Sequence, residues 1–169
     1  MSQVVLIGPP GAGKSAAGAL LARQLGTSFR DTDEDIEATA GKPVPDIFLE
    51  DGEDAFRDLE RTAVAKALDE HDGVLALGSG AVLNTTVREI LAGRTVVYLA
   101  ADFTTVAKRA GLDRPRVVLP GNPRGRLRAM LEERRAVYES LATITVQADD
   151  AADAGELAAE ISRRLDEAR

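Results

Sequence analysis

The chain has 169 residues, a formal net charge of −7, 44% hydrophobic and 29% charged residues, and neither cysteine nor tryptophan. These are globular values for a chain of one-domain length, and they exclude a general nucleic-acid binder, disulfides, thiolate metal sites and a cysteine nucleophile. No apolar run approaches a membrane span, and the first strand begins almost at once, so no signal peptide is expected; the absence of cysteine suits a reducing cytoplasm, and a monomer is expected. Taken in order, Val4–Ile7 is an apolar run that reads as a buried strand, and a glycine-rich loop over 8–15 follows it. Ala16 to Leu25 reads as a helix stopped by Gly26, and Ser28 to Arg30 as a short strand. A short helix containing Ile36 closes at Gly41, Pro43 and Pro45 mark a turn, and a long helix runs from about Glu53 to Glu70. His71, in the polar run Asp69 to Gly73, reads as an exposed helix end with no role. Val74 to Leu77 and Thr95 to Leu99 are continuous apolar runs, the pattern of parallel strands covered on both faces. Helices are expected at 84–91, 103–110 and 123–141, a last strand at 143–147, and a final helix capped by Asp153. Strands alternating with helices give an α/β fold with one five-stranded parallel sheet, whose ligands would sit at the carboxyl ends of the strands.

The loop, Gly8-Pro9-Pro10-Gly11-Ala12-Gly13-Lys14-Ser15, has the G-x-x-x-x-G-K-S form between a strand and a helix. Its glycines let several backbone N–H groups turn toward one anion, and the helix that follows adds its positive end. Lys14 brings a full charge to the terminal phosphates, and the Ser15 hydroxyl suits Mg²⁺. The chain is therefore expected to bind a nucleoside triphosphate.

Substrate choice must come from elsewhere. Asp31 and Asp33, at the end of the second strand, are candidates for the metal and the phosphoryl acceptor, although Asp33 could instead cap the next helix. Arg57 and Glu60 share a helix face and read either as a surface ion pair or as a guanidinium fork held ready for a carboxylate. The glycines flanking Ser79 permit close approach of a small ligand. Between Lys108 and Arg135, nine basic residues face three acids, a local basic patch on an acidic chain that suggests an anionic ligand; Arg126 and Arg128 read as part of a solvated helix face.

Taken together, the phosphate loop, Asp31-Thr32-Asp33, Ile47-Phe48, Asp51-Gly52-Glu53 and Phe56-Arg57-x-x-Glu60 resemble the shikimate kinases. Gly78-x-Gly80-Ala81-Val82, the arginine-bearing loop and Arg134-x-x-x-Tyr138 continue the resemblance in register over nearly the whole chain. The resemblance implies a three-layer α/β/α fold like that of the P-loop nucleoside-monophosphate kinases. It implies a single domain over 1–169, with substrate-binding helices at about 33–61 and a mobile lid at about 111–123. The implied reaction is phosphoryl transfer from ATP to the 3-hydroxyl of shikimate, with Mg²⁺, on the route to chorismate. Gly11, Ala12, Gly13, Lys14, Ser15, Ala16, Arg109 and Arg116 would contact ATP, with Arg109 against adenine and Arg116 swinging over the phosphates. Ser15 and Asp31 would serve the metal, and Lys14, Asp33 and Arg116 the chemistry. Asp33, Arg57, Gly78, Ser79, Gly80 and Arg134 would hold shikimate.

The sequence departs from the usual family pattern at Ala16 (for Thr), Ser79 (for Gly), Val117 (for Pro) and Ala136 (for Pro). Ser79 in a glycine position requires negative φ there or backbone strain. By their chemistry, Asp33, Arg57 and Arg134 ask for a small hydroxylated carboxylate, a class that also admits a gluconate kinase. A silent nucleotide-binding relative is the third reading, disfavoured because Lys14, Asp31 and Asp33 are all present.

Overall fold

The computed structural model describes residues 3–109, 122–149 and 153–168. The first half of the chain runs β1 (Val4–Ile7), α1 (Lys14–Gln24), β2 (Phe29–Asp31), α2 (Thr32–Ala40), α3 (Val44–Asp51), α4 (Glu53–Glu70) and β3 (Val74–Ala76). A single 3₁₀ turn (Ala81–Leu83) leads into α5 (Thr85–Leu91), β4 (Thr95–Ala100), α6 (Phe103–Arg109), α7 (Pro123–Leu141), β5 (Ile144–Gln147) and α8 (Ala154–Glu167). The five strands form one sheet in the order β2-β3-β1-β4-β5 with every pairing parallel. Helices cover both faces of the parallel sheet that the alternating pattern predicts, the three-layer α/β/α arrangement implied by the resemblance.

Because side chains alternate across a strand, β1 feeds two cores at once. Val4 and Leu6 join Leu21, Leu99, Leu157 and Ile161 beneath α1 and α8. Val5 and Ile7 join Val64, Leu75, Leu77, Val96 and Leu91 beneath α4, α5 and α7. These strand positions are almost fully buried, which explains why the strands read as unbroken apolar runs. A third, smaller cluster of Ile36, Ile47 and Phe56 ties α2, α3 and α4 together at the edge of the sheet.

Two local expectations are corrected. Pro43 and Pro45, read as marking a turn, instead open a helix: residues 44–51 form α3, with Pro43 as N-cap and Pro45 in the first turn. Proline does no harm there, since the first N–H groups of a helix have no intrahelical acceptor. His71 is not an exposed end without partners: it is half-buried as the C-cap of α4. Its Nε2 lies 3.0 Å from the Val74 carbonyl and 3.2 Å from that of Ser28. With two carbonyls as neighbours, that nitrogen carries the proton and donates, joining β2 to β3.

The lid expected at 111–123 lies, up to residue 121, outside the described residues, and Arg116 and Val117 lie there with it. Among the described residues no helix is long and apolar enough to cross a membrane.

Buried Gly73 lies at the junction that sets the β2–β3 register. A Cβ there would overlap the Ser28 carbonyl and stand 2.8 Å from Thr27 Oγ1. Backbone cannot yield as a side-chain tip can, so Gly73→Ala is expected to destabilise the fold by about 1–3 kcal/mol in urea denaturation. Unchanged stability would show that β2 is free to shift.

Candidate active site

The phosphate loop leaves β1 at Ile7 and enters α1 through Gly13, whose φ of 92° places the N-cap in the left-handed region. No side chain caps α1 and no acid lies in its first turn, so its positive end remains available to an anion. Lys14 Nζ donates to the carbonyls of Gly8 (2.8 Å) and Pro9 (3.0 Å), folding the side chain back over the loop. Withdrawal from water lowers its pKa to about 8; Asp33 and Asp31 oppose this fall and Arg134 adds to it. Ala12 is fully buried beneath the loop and Ala16 is exposed. Arg109, exposed at the end of α6, donates to the Gly11 carbonyl and, at 3.5 Å, to that of Asp149. It thus spans the loop and the chain leaving β5.

At the end of β2, Asp31 is the N-cap of α2: its Oδ1 accepts from the Asp33 backbone N–H at 2.9 Å. Its other oxygen accepts from Ser15 Oγ at 2.5 Å. Asp33 is therefore not the cap. It sits in the first turn of α2, where its Oδ1 is buried without a hydrogen-bond partner. Burial first, then Asp31 and Glu60, push its pKa up to about 6 against the pull of Lys14. Asp31, Asp33, Lys14, Ser15, Gly78 and Ser79 line one cleft of about 330 Å³.

Opposite the loop, Arg57 on α4 donates through Nη1 to Glu60 Oε1 at 2.7 Å. The surface-pair reading fails, because Glu60 is only 2% exposed. Burial raises the Glu60 pKa, while the Arg57 hydrogen bond and charge hold it down. The guanidinium lies 5.3 Å from the Phe56 ring centroid and 6.0 Å from that of Phe48, within cation–π range.

The turn after β3 accommodates these groups because it lacks side chains. A Cβ on Gly78 would stand 2.8 Å from Asp33 Oδ1 and 3.0 Å from Glu60 Oε2; one on Gly80 would overlap the Arg57 guanidinium. Ser79 between them is unstrained, since no described non-glycine residue has positive φ. Its Oγ accepts from Arg134 Nη1 on α7 at 3.3 Å, and its carbonyl accepts from Tyr138 Oη at 2.6 Å. Arg134 has no carboxylate at ion-pair distance among the described residues.

The structure thus brings Lys14, Ser15, Asp31, Asp33, Arg57, Gly78, Ser79, Gly80 and Arg134 to one end of the sheet. Arg109 stands behind the loop, and Arg116 is outside the described residues. Sequence reasoning assigned no role to the Tyr138 hydroxyl or to the aromatic support of Arg57. The four-residue step from Arg134 to Tyr138 is a signal for the first, whereas the Ile47-Phe48 motif does not by itself place Phe48 against Arg57. Arg128 also departs from a plain solvated face: its guanidinium lies 4.0 Å from the Phe103 ring centroid.

A family model described as shikimate kinase matches residues 10–166. The chain is 58% identical over 146 residues to the shikimate kinase of Thermobifida fusca, covering 86% of this chain and 85% of that one. It is 51% identical, over the same shares, to the shikimate kinase of Streptomyces coelicolor. The structure of Acinetobacter baumannii shikimate kinase in complex with shikimate superposes with a TM-score of 0.90 at 33% identity, covering 100% of this chain and 95% of that one.

Asp33 also generates a stability prediction. Its folded pKa, about 6, exceeds the ordinary 3.8, so the folded state holds the proton more tightly and ligand-free stability falls as pH rises from about 4 to 6. Asp33→Asn removes the ionised form. The variant is expected to be more stable than the parent at pH 7.5 by about 1–3 kcal/mol, with no difference at pH 4. Urea denaturation at the two pH values checks this, and a variant less stable at pH 7.5 would mean that the carboxylate has a partner.

Proposed function

The chain belongs to the shikimate kinase family, and on that premise we propose that it transfers the γ-phosphoryl group of ATP to the 3-hydroxyl of shikimate, giving shikimate 3-phosphate and ADP. The observation that carries the reading is the unpartnered Asp33 Oδ1 in the phosphate-loop cleft, beside a turn against which Arg57 (at Gly80) and Arg134 (at Ser79) rest, two arginines suited to a carboxylate. ATP lies with its phosphates in the loop at 11–16 and its base toward Arg109. Shikimate lies across Gly78-Ser79-Gly80, its carboxylate between the Arg57 and Arg134 forks and its hydroxyl against Asp33. We place the reaction in the cytoplasm and the protein as a monomer, one domain over 1–169.

Mg²⁺ fits the donors present. Ser15 Oγ and an Asp31 oxygen converge at 2.5 Å as hard oxygen ligands, and no cluster of three metal-binding side chains occurs among the described residues. Such a site suits an ion that takes one or two protein oxygens and completes its shell with phosphates and water. When bound, Mg²⁺ neutralises charge on the phosphates.

The chain's own groups then act by position and charge. Lys14 leaves the Gly8 and Pro9 carbonyls for the phosphoryl oxygens, where its charge stabilises the transition state. Asp33 accepts a hydrogen bond from the acceptor hydroxyl, aims its oxygen at phosphorus, and takes the proton as the new O–P bond forms and the bond to the ADP oxygen breaks. Glu60 keeps Arg57 in one rotamer, so little freedom is lost when shikimate binds. Arg116 adds positive charge over the transferring group.

The test is ADP release with shikimate, shikimate carboxamide and gluconate side by side. Shikimate is expected to exceed its carboxamide in kcat/KM by roughly 30- to 1,000-fold, the cost of leaving Arg134 without an anionic partner and Arg57 with Glu60 alone. Equal use of both would remove the acceptor assignment. Lys14→Ala is expected to lower kcat by about 10²-fold or more with the fold intact, and near-normal turnover would sink its role.

A further inference from the structure

The two arginines of the site are held in different ways. Arg57 is paired with the buried carboxylate of Glu60. Arg134 is half-buried and near two other cations: Lys14 feels its charge, and Arg57 stands across the Gly78–Gly80 turn. Repulsion alone would swing such a side chain toward water, where a long arginine has many rotamers. Two groups oppose this: the Glu60 carboxylate, which attracts Arg134 from beyond ion-pair distance, and, in direct contact, the Ser79 hydroxyl, which accepts from Arg134 Nη1 at 3.3 Å.

The same serine is tied a second time to the same helix. Tyr138, one turn beyond Arg134 on α7, donates its hydroxyl to the Ser79 carbonyl at 2.6 Å. Tyr138 is 1% exposed and its ring stacks on Tyr98 at a centroid distance of 5.0 Å, so the donor cannot wander. Backbone and side chain of Ser79 thus contact consecutive turns of α7. We infer that Ser79 and Tyr138 are positioning residues that hold Arg134 at the site before the acceptor arrives, the hydroxyl retaining the guanidinium and the tyrosine fixing turn against helix. A neutral holder suits this role, because a carboxylate in its place would compete with the incoming anion, whereas a hydroxyl is readily exchanged for one.

The inference rests on the carboxylate-binding reading proposed above, and the experiment separates the two. Ser79→Ala, Tyr138→Phe, Ser79→Thr and Arg134→Ala are assayed for KM of shikimate, KM of ATP and the preference for shikimate over its carboxamide, with Tm as a check on folding. Ser79→Ala and Tyr138→Phe are each expected to raise KM for shikimate by about 5- to 20-fold and to shrink the preference by a similar factor, while KM for ATP stays put. Ser79→Thr, which keeps the hydroxyl, should recover most of the loss. In the Arg134→Ala background, Ser79→Ala should cost almost nothing more, because the group it positions is gone. A Ser79→Ala cost that persists in full in that background, or a preference unchanged in both single variants, overturns the inference while leaving the substrate assignment intact. Absence of any preference in the parent chain overturns the assignment and the inference with it.

Discussion

Gly78 and Gly80 have no side chains, and the space a Cβ would occupy at each is filled by Asp33, Glu60 and Arg57 atoms. That steric allowance lets six charged groups meet at the end of β1, β2 and β3. Lys14 comes from the loop after β1, Asp31 and Asp33 from the end of β2, Arg57 and Glu60 from α4, and Arg134 from α7. A side chain at either glycine would push the acid or the guanidinium out of the position it holds here. The site is therefore built on the backbone of a turn, and the charged residues are fitted to it.

Bringing these charges together works against the fold. Asp33 and Glu60 are pushed toward their neutral forms and Lys14 toward its own, each chiefly by loss of water. The arrangement persists because two large cores flank the sheet and a small third core of Ile36, Ile47 and Phe56 braces the helices that carry Asp33 and Arg57. An anionic phosphate chain beside Lys14 and an anionic acceptor between the arginines relieve much of this opposition, so binding and stability are linked through the same atoms.

Much of this was legible in the sequence. The phosphate loop announces itself because its chemistry depends on backbone and on one lysine, both of which a short motif can encode. The strands announce themselves because burial on both faces leaves unbroken apolar runs such as Val74 to Leu77. Residues 44–51 were harder, since two prolines two apart signal a turn unless they are known to fall on a helix start. Asp31 and Asp33 could not be told apart as cap and free acid, because either spacing is compatible with a helix beginning nearby. A single hydrogen bond from the Asp33 N–H decides between them, and that is a property of geometry. The same holds for His71, whose acceptors lie on two different stretches of chain, and for the grip of Tyr138 on Ser79, which joins residues 59 positions apart.

The aromatic composition gives the site a spectroscopic identity. The chain has two tyrosines and no tryptophan, and those tyrosines are the stacked pair Tyr98 and Tyr138. The near-ultraviolet absorption and intrinsic emission of the protein therefore arise chiefly from one pair of rings behind the Gly78–Gly80 turn, one of whose hydroxyls is bonded to that turn. Exciton coupling between close rings gives a circular dichroism signal that depends on their mutual angle, here 28°. Any movement of α7 against β4 rotates one chromophore relative to the other, so the unlabelled protein carries an optical gauge of its own active-site geometry.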